Sequence, residues 1–353
     1  MSTVSQPLVS IVTPVYNEAG FLAECVESVL AQTYQNWEYT IVDNCSTDDT
    51  LDVAQRYAQR DPRIRVHRND QLLDVIRNHN AALQLISPQS KYCKVVFGDD
   101  WIFPACLEQM VALAEAHPSV GIVGAYALEG NKVAWAGLEY PSPVVSGVEM
   151  CRRHLLEGLY VFGSSNAVLY RADLVRSRQP FYNEQNIHAD TEVCFSLLKS
   201  CDFGFVHQIL TGTRVRPVSV SAVTKSLQTD FGCMLQLLTS HAPEFLTREE
   251  HDARLTRHLA GYYRFLGKSC FAFRHKELWD YHRKQFVNAG LSFSYARIAR
   301  GALEVIGNAA VNPGATLMKL FRSRSRLPFV GRAESHKRER LMAKHSQSAS
   351  DAL

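Results

Sequence analysis

The chain has no run near the roughly 18 apolar residues needed to cross a bilayer, and Met1 to Pro7 is too short and polar for a secretory leader. Neither export nor membrane spanning is expected. There is no GxGxxG after the first apolar run and no GxxxxGK[ST] anywhere, which excludes the glycine-rich dinucleotide turn and the P-loop. Cysteine is present but unpatterned: nine residues, an odd number, with no CxxC and several inside apolar helical patterns. They read as reduced, mostly buried thiols of a cytoplasmic protein. No internal repeat is found, and 19 Gly and 13 Pro in 353 residues exclude collagen-like and low-complexity classes.

What is present is a globular composition, 46% hydrophobic and 21% charged, with enough length for about two domains or one large α/β domain with additions. The net charge of +3 conceals an asymmetry. Nine Lys or Arg against Glu334 and Glu339 give the stretch from Lys319 to Lys344 a local +7, which leaves −4 for the remainder. A mildly acidic body argues against nucleic acid as a partner, and a basic tail argues for contact with something anionic.

The first half alternates apolar strands with amphipathic helices. Leu8 to Val15 reads as a strand covered on both faces, followed by a helix with Phe21, Leu22, Cys25, Val26, Val29 and Leu30 at helical spacing. Tyr39 to Asp43, Ile64 to His67 and Lys94 to Phe97 repeat the strand signal, each followed by a helical pattern; Ser46 or Thr47 is the expected cap of the second helix. Four such units imply a doubly wound, mostly parallel, Rossmann-like α/β sheet. Further on, Val120 to Leu128, Lys132 to Tyr140, Tyr160 to Tyr170 and Gly204 to Leu210 read as strands. After about Val223 the pattern is almost wholly helical to Leu320. The domain expectation is therefore 1–222 catalytic, 223–322 helical and 323–353 a basic, disordered tail.

Ligands of open parallel sheets sit at the carboxyl ends of the strands. Four polar segments converge there: Thr13 to Glu18, Asp43 to Ser46, Arg77 to Asn80, and Asp99-Asp100. With glycine-rich turns excluded, this is a nucleotide site built on carboxylates.

At these residues the chain resembles the family 2 glycosyltransferases of the GT-A fold, closest to bacterial enzymes of surface polysaccharide synthesis. Three blocks between about Pro7 and Arg216 carry the likeness: VSIVTPVYNE running on through YTIVDNCSTDDT, then KVVFGDDWIFPACLEQMV, then HADTEVCFSLL. It departs where the usual VDDGS reads VDNCS, where the Asp-x-Asp reads Gly98-Asp99-Asp100, and where a Glu-Asp pair reads Ala189-Asp190. The resemblance implies transfer of a sugar from a nucleotide-sugar donor, with Asp100 as ligand of Mg²⁺ or Mn²⁺ and Asp99 facing the ribose or metal-bound water. It also implies that Asp43 accepts from the base edge, that Pro14, Val15, Tyr16 and Asn17 line the nucleotide, and that Asp190 is the base of an inverting reaction. A hard cation wants oxygen ligands, and inversion wants a group that takes the acceptor's proton, so these residue types suit those roles.

Each role has a plainer counterpart. Asp99-Asp100 could be a polar loop before Pro104, Asp43 a turn carboxylate, and Asp190 the N-cap of its helix. Glu192 and His188 are the substitutes for Asp190. Arg214 and Arg216 are placed for diphosphate contact or are surface charges, and Asn78 and Asn80 touch donor sugar or cap a helix. Ser164 and Asn166 line the acceptor side, and Trp101 stacks on sugar or packs in a loop. The resulting expectation is a cytoplasmic transferase, peripheral on the inner face of the membrane, acting on a glycan or lipid-linked acceptor. The rivals are a sugar-1-phosphate nucleotidyltransferase, which TPVYNE disfavours by lacking a GxGTR-like loop, and a non-catalytic nucleotide-sugar-binding protein.

Overall fold

The computed structural model describes residues 6–216, 219–272 and 275–311. The basic tail expected at 323–353 lies outside the described residues. The chain divides into two compact units, Met1–Val215 and Arg216–Leu353.

The first unit runs β1 (Val9–Val15), α1 (Ala19–Leu30), β2 (Trp37–Asp43), α2 (Thr50–Arg60), β3 (Ile64–Arg68), α3 (Val75–Leu83), β4 (Tyr92–Val95), β5 (Trp101–Ile102) and α4 (Cys106–Ala116). It continues through β6 (Val120–Glu129), β7 (Lys132–Ala134), β8 (Val144–Val145), α5 (Gly147–Glu157), β9 (Val168–Arg171), α6 (Ala172–Arg176), α7 (Ala189–Leu197) and β10 (Asp202–Thr213). The sheet order is β3-β2-β1-β4-β9-β6-β10-β5, with β7 on β6 and β8 on β10. β3, β2, β1 and β4 are mutually parallel, whereas β9 lies antiparallel between β4 and β6.

Every residue of β1 is buried, as its unbroken apolar run requires of a strand covered on both faces. The chain moves outward from β1 to β3 and returns on the other side as β4, which opens a crevice at the carboxyl ends of β1 and β4. Beneath it, Leu22, Val26, Tyr39, Ile41, Leu107 and Met110 belong to one apolar core.

Two strand expectations shorten. β7 stops at Ala134 because Trp135 takes a left-handed φ of 62° and Gly137 a φ of 132°. The run from Tyr160 becomes an irregular loop with a 3₁₀ turn at Ser165–Ala167 before β9. This loop stands at the crevice.

The second unit holds α8 (Val220–Leu227), α9 (Asp230–Ser240), α10 (Arg248–Phe271), α11 (Lys276–Asn288) and α12 (Tyr295–Val311). A capping box between Thr247 and Glu250 starts α10. α10 and α12 pack through glycine: a Cβ on Gly267 would lie 2.3 Å from Ala302 N, and one on Gly301 2.5 Å from Tyr263 O. Among the described residues no helix is long and apolar enough to cross a membrane.

Candidate active site

The loops that follow β1 and β2 are sewn together by hydrogen bonds between their own residues. Asn17 adopts a left-handed φ of 54°, which Asn tolerates, and its N–H donates to Ser46 Oγ at 3.0 Å while its Oδ1 accepts from Thr47 N at 2.8 Å. Glu18 N donates to Thr50 Oγ1 at 2.8 Å. Ser46 thus holds the first loop rather than capping α2. The N-cap position of α2 falls to Asp49, and Asp48, one residue earlier, accepts from Thr50 N on its Oδ1 at 3.0 Å. Asp43 is fully buried, receives Ser46 N on both oxygens at 3.3 Å, and pairs with Arg68 at 3.5 Å. Tyr16, 39% exposed, follows buried Pro14 and Val15 at the mouth.

A buried amide network braces this side. Asn44 Oδ1 accepts from Asn69 Nδ2 and Leu73 N, both at 2.9 Å, and Asn69 Nδ2 also donates to Asn78 Oδ1 at 2.9 Å. Asn80 grips an extended segment across the crevice: its Nδ2 donates to Tyr182 O at 2.9 Å and its Oδ1 accepts from Tyr182 N at 2.8 Å. Both asparagines are buried and make protein contacts, and α3 is capped instead by Asp74, which accepts from Arg77 N.

The paired aspartates differ. Asp100 is 3% exposed; its Oδ1 accepts from Arg214 N at 2.9 Å, and the Thr213 side chain adds a hydrogen bond. Burial, reinforced by the charge of Asp99, pushes its carboxyl up to about 7. Asp99 is the more exposed of the two. Arg214 lies over the pair's loop, donating from Nε to Asp99 O at 3.1 Å and bridging to Glu24, with its guanidinium 5.0 Å from the Phe21 ring and 5.5 Å from Trp101. Trp101 is a packing residue here: a Cβ on Gly212 would fall 2.0 Å from its indole. Gly98 has a similar reason to be glycine, since a Cβ there would sit 2.2 Å from Glu18 Oε2. Glu18 is thereby brought beside the Asp99-Asp100 turn, as the convergence of the Thr13 to Glu18 segment with that turn implied.

Asp190 is in the first turn of α7, two residues beyond the N-cap position held by His188. Its Oδ1 accepts from Thr191 N at 2.8 Å. It is partly open at the surface, yet the protein packed around it raises its carboxyl above the usual carboxylate range, with the charge of His188 acting the other way. Glu192, by contrast, is engaged by Arg178 at 2.8 and 3.1 Å.

Between the two carboxylate sites runs the loop 163–167. At one end Tyr160 OH donates to Gly163 O at 3.1 Å and meets Thr191 Oγ1, next to Asp190, at 3.0 Å. At the other, Asn166 Nδ2 donates to Gly212 O at 3.3 Å, on the strand that carries the partners of Asp100. Lys94, fully buried in β4, anchors the loop from below, its ammonium donating to Asn166 O and, at 3.1 Å, to Val168 O. Burial pushes that ammonium down, while Cys106, Cys93 and Asp100 act the other way. Sequence reasoning missed Lys94; the available signal was a lysine inside an otherwise apolar strand. Ser164 Oγ and Asn166 Oδ1 are buried with no protein partner, and so is Thr211 Oγ1. Arg216 opens the second unit.

A divalent cation suits the Asp99-Asp100 turn. Two adjacent acids in a poorly hydrated pocket raise Asp100, and a bound cation would relieve that repulsion. Among the described residues no group of three His, Cys, Asp or Glu could hold a metal, so the remaining positions would fall to ligand oxygens.

Residues 10–175 match the family described as Glycosyl transferase family 2. EpsE of Bacillus subtilis, named as a glycosyltransferase, is 37% identical over 34% of this chain and 43% of its own length. TuaG of the same organism, named for teichuronic acid biosynthesis, is 39% identical over 27% of this chain and 37% of its own. The chain therefore spans less than half of each relative. Among solved structures, S. aureus TarS 1-349 in complex with UDP-GlcNAc superposes with a TM-score of 0.56 at 16% identity, covering 80% of this chain and 79% of that one. Mannosyltransferase PcManGT from Pyrobaculum calidifontis, in complex with GDP-Man and Mn²⁺, gives 0.52 at 14% identity, over 88% and 81%. At such identities the likeness is one of fold, the GT-A fold implied by the sequence blocks.

Proposed function

Residues 10–175 belong to glycosyl transferase family 2, and from that premise we propose that the chain is an inverting, metal-dependent transferase. It moves a sugar from a nucleotide-sugar donor to a hydroxyl of a glycan or lipid-linked acceptor in surface polysaccharide synthesis. The observation that carries this reading is the loop 163–167, tied at one end to the helix of Asp190 and at the other to the strand that holds Asp100. It joins a donor side and a proton-accepting side through one rigid element.

The nucleotide lies along Pro14 to Asn17 with Asp43 at the base edge; Asp100 would hold the cation, with Asp99 facing the ribose or metal-bound water. When bound, a hard divalent cation neutralises charge growing on the diphosphate leaving group. Arg214 fixes the Asp99-Asp100 turn from above. Asp190, its carboxyl raised by burial, takes the acceptor hydroxyl proton as that oxygen attacks the anomeric carbon. The new C–O bond forms as the bond to the diphosphate breaks, and the nucleoside diphosphate leaves with that electron pair. Ser164 and Asn166, whose buried oxygens lack protein partners, receive hydroxyls of the bound sugars. An acceptor on a lipid carrier places the enzyme on the cytoplasmic face of a membrane.

A panel of nucleotide-sugars with Mn²⁺, read by thermal shift, tests the donor assignment, because a ligand bound only by the native state raises its stability. One donor should shift the transition and lose that effect on chelation. Transfer from it should give product of inverted anomeric configuration by NMR. No shift with any donor, or a product of retained configuration, overturns the reading.

A further inference from the structure

α12 has two apolar faces. One is internal: Ile298 is 6% exposed within the cluster of Tyr262, Tyr263, Leu266 and Phe286, and Gly301 lies against the Tyr263 backbone. The other points outward. Tyr295 is 66% exposed, Leu303 68% and Ile306 51%. Together with exposed Ala299 they recur at spacings of four, four and three, which puts them on one stripe of a 3.6-residue helix. An amphipathic helix that had only to pack against its neighbours would place polar side chains there.

The flank of this stripe is positive. Arg300, exposed, lies beside Leu303 round the helix, and the one acid in the described part of α12, Glu304, is paired with Arg264 at 3.1 Å and Arg300 at 3.7 Å, while Arg297 is exposed on the far side of α12 with its guanidinium 5.5 Å from the Tyr263 ring. In the sequence that follows α12, nine Lys or Arg stand against two Glu between Lys319 and Lys344. Apolar side chains on one face, an arginine along its edge and a basic run further along the sequence form the pattern of a helix that lies in a membrane interface. A second copy of this chain would bring the same positive charge against itself.

We propose that the outward face of α12, centred on Leu303 and Ile306 and flanked by Arg300, docks on the surface of an anionic lipid bilayer. The inference extends the reading of a lipid-linked acceptor by naming the surface that holds the enzyme beside it. The helix lies parallel to the membrane plane with the stripe in the headgroup and acyl boundary, while Arg300 meets acidic headgroups. Each basic residue near the surface strengthens binding about fivefold, and the attraction falls as salt is added.

The test is sedimentation of the full chain with phosphatidylcholine vesicles with and without phosphatidylglycerol, at low and physiological salt and with no nucleotide-sugar present. Failure of the transfer reaction therefore leaves this result untouched, and the reverse also holds. Wild type should pellet with the anionic vesicles only. Leu303→Glu with Ile306→Glu should lower its partition coefficient by about tenfold or more, and Arg300→Glu by about fivefold or more. Both variants alter exposed positions, so their thermal transitions should match wild type and exclude unfolding as the cause. Absence of wild-type binding overturns the proposal, as does equal binding by the Leu303/Ile306 variant, which would assign the attraction to the basic run alone. A dimer in solution that Leu303→Glu dissociates, without vesicle binding, would assign the stripe to a second copy and equally overturn it.

Discussion

In the helical unit, His282 is fully buried and both ring nitrogens have partners, the Tyr262 hydroxyl on Nδ1 and Leu227 O at 2.9 Å on Nε2; His258 meets Phe231 O at 2.9 Å. At the strand ends of the first unit, Ser164 Oγ, Asn166 Oδ1 and Thr211 Oγ1 are equally shielded but have no protein partner, and burial, helped by the charge of Asp99, raises Asp100 to about 7. The polar groups of the helical unit serve packing, since leaving one unmade costs about 1–3 kcal/mol. Those at the strand ends of the first unit include three shielded oxygens with no protein partner. A buried oxygen left open in this way is where a bound hydroxyl can pair.

The largest effect expected from that contrast is at Asp190. Asp190→Asn keeps the shape of the side chain and its bond from Thr191 N, but cannot take a proton at neutral pH. Single-turnover transfer should fall by about 10²–10⁴-fold with nucleotide affinity unchanged. Glu192→Gln, which only weakens the pair with Arg178, should leave turnover within a few fold. A wild-type rate for Asp190→Asn would move the base elsewhere.

The aspartate pair comes next. Asp99→Asn and Asp100→Asn should each weaken Mn²⁺-dependent nucleotide binding by about 10–100-fold, measured by calorimetry. Their stabilities should part. A carboxyl raised in the folded state contributes stability below its unfolded pKa and loses it as pH rises through the folded value, here about 7. Asp100→Asn should therefore be more stable than wild type at pH 8, by about 2 kcal/mol, and show little gain at pH 4. A variant less stable than wild type at pH 8 would mean that Asp100 is a structural residue.

The helical unit should respond in the opposite way. Burial holds His258 and His282 down to about 4. A histidine lowered in this manner contributes stability that is present above its unfolded pKa, near 6.5, and is lost as pH falls toward the folded value. Thermal scans between pH 7 and pH 4 should show a falling transition, and His282→Ala should cost about 2–4 kcal/mol at neutral pH without touching nucleotide binding. An unchanged transition would remove the packing role. The smallest effect is expected at Ser164→Ala. A hydroxyl without a protein partner can be removed with stability changing by less than about 0.5 kcal/mol, while the Michaelis constant for one substrate rises.

Much of the first unit was legible because its strands are unbroken apolar runs ending in polar residues. Asp43, Asn17 and Asp99-Asp100 could be placed at strand ends by periodicity alone. The roles of other residues were not legible, because a side chain's partner lies far away in the chain. Asn78 meets Asn69, Asn80 meets Tyr182, and Arg214 meets the Asp99-Asp100 turn. That Asp190 stands in the first turn of α7 and not at its N-cap also turned on geometry, since the two positions differ by only two residues in a sequence.

The sequence by itself determined the alternating α/β order, the absence of a glycine-rich phosphate loop and the residue types at the crevice, because these depend on local period and composition. Tertiary structure decided which carboxylate is buried, which acid is already paired with an arginine, and which lysine sits beneath the 163–167 loop. It also decided that one face of α12 is left apolar and outward. Those properties are set by what packs within a few ångströms of a side chain, and a linear pattern carries the distance along the chain, not the distance through space.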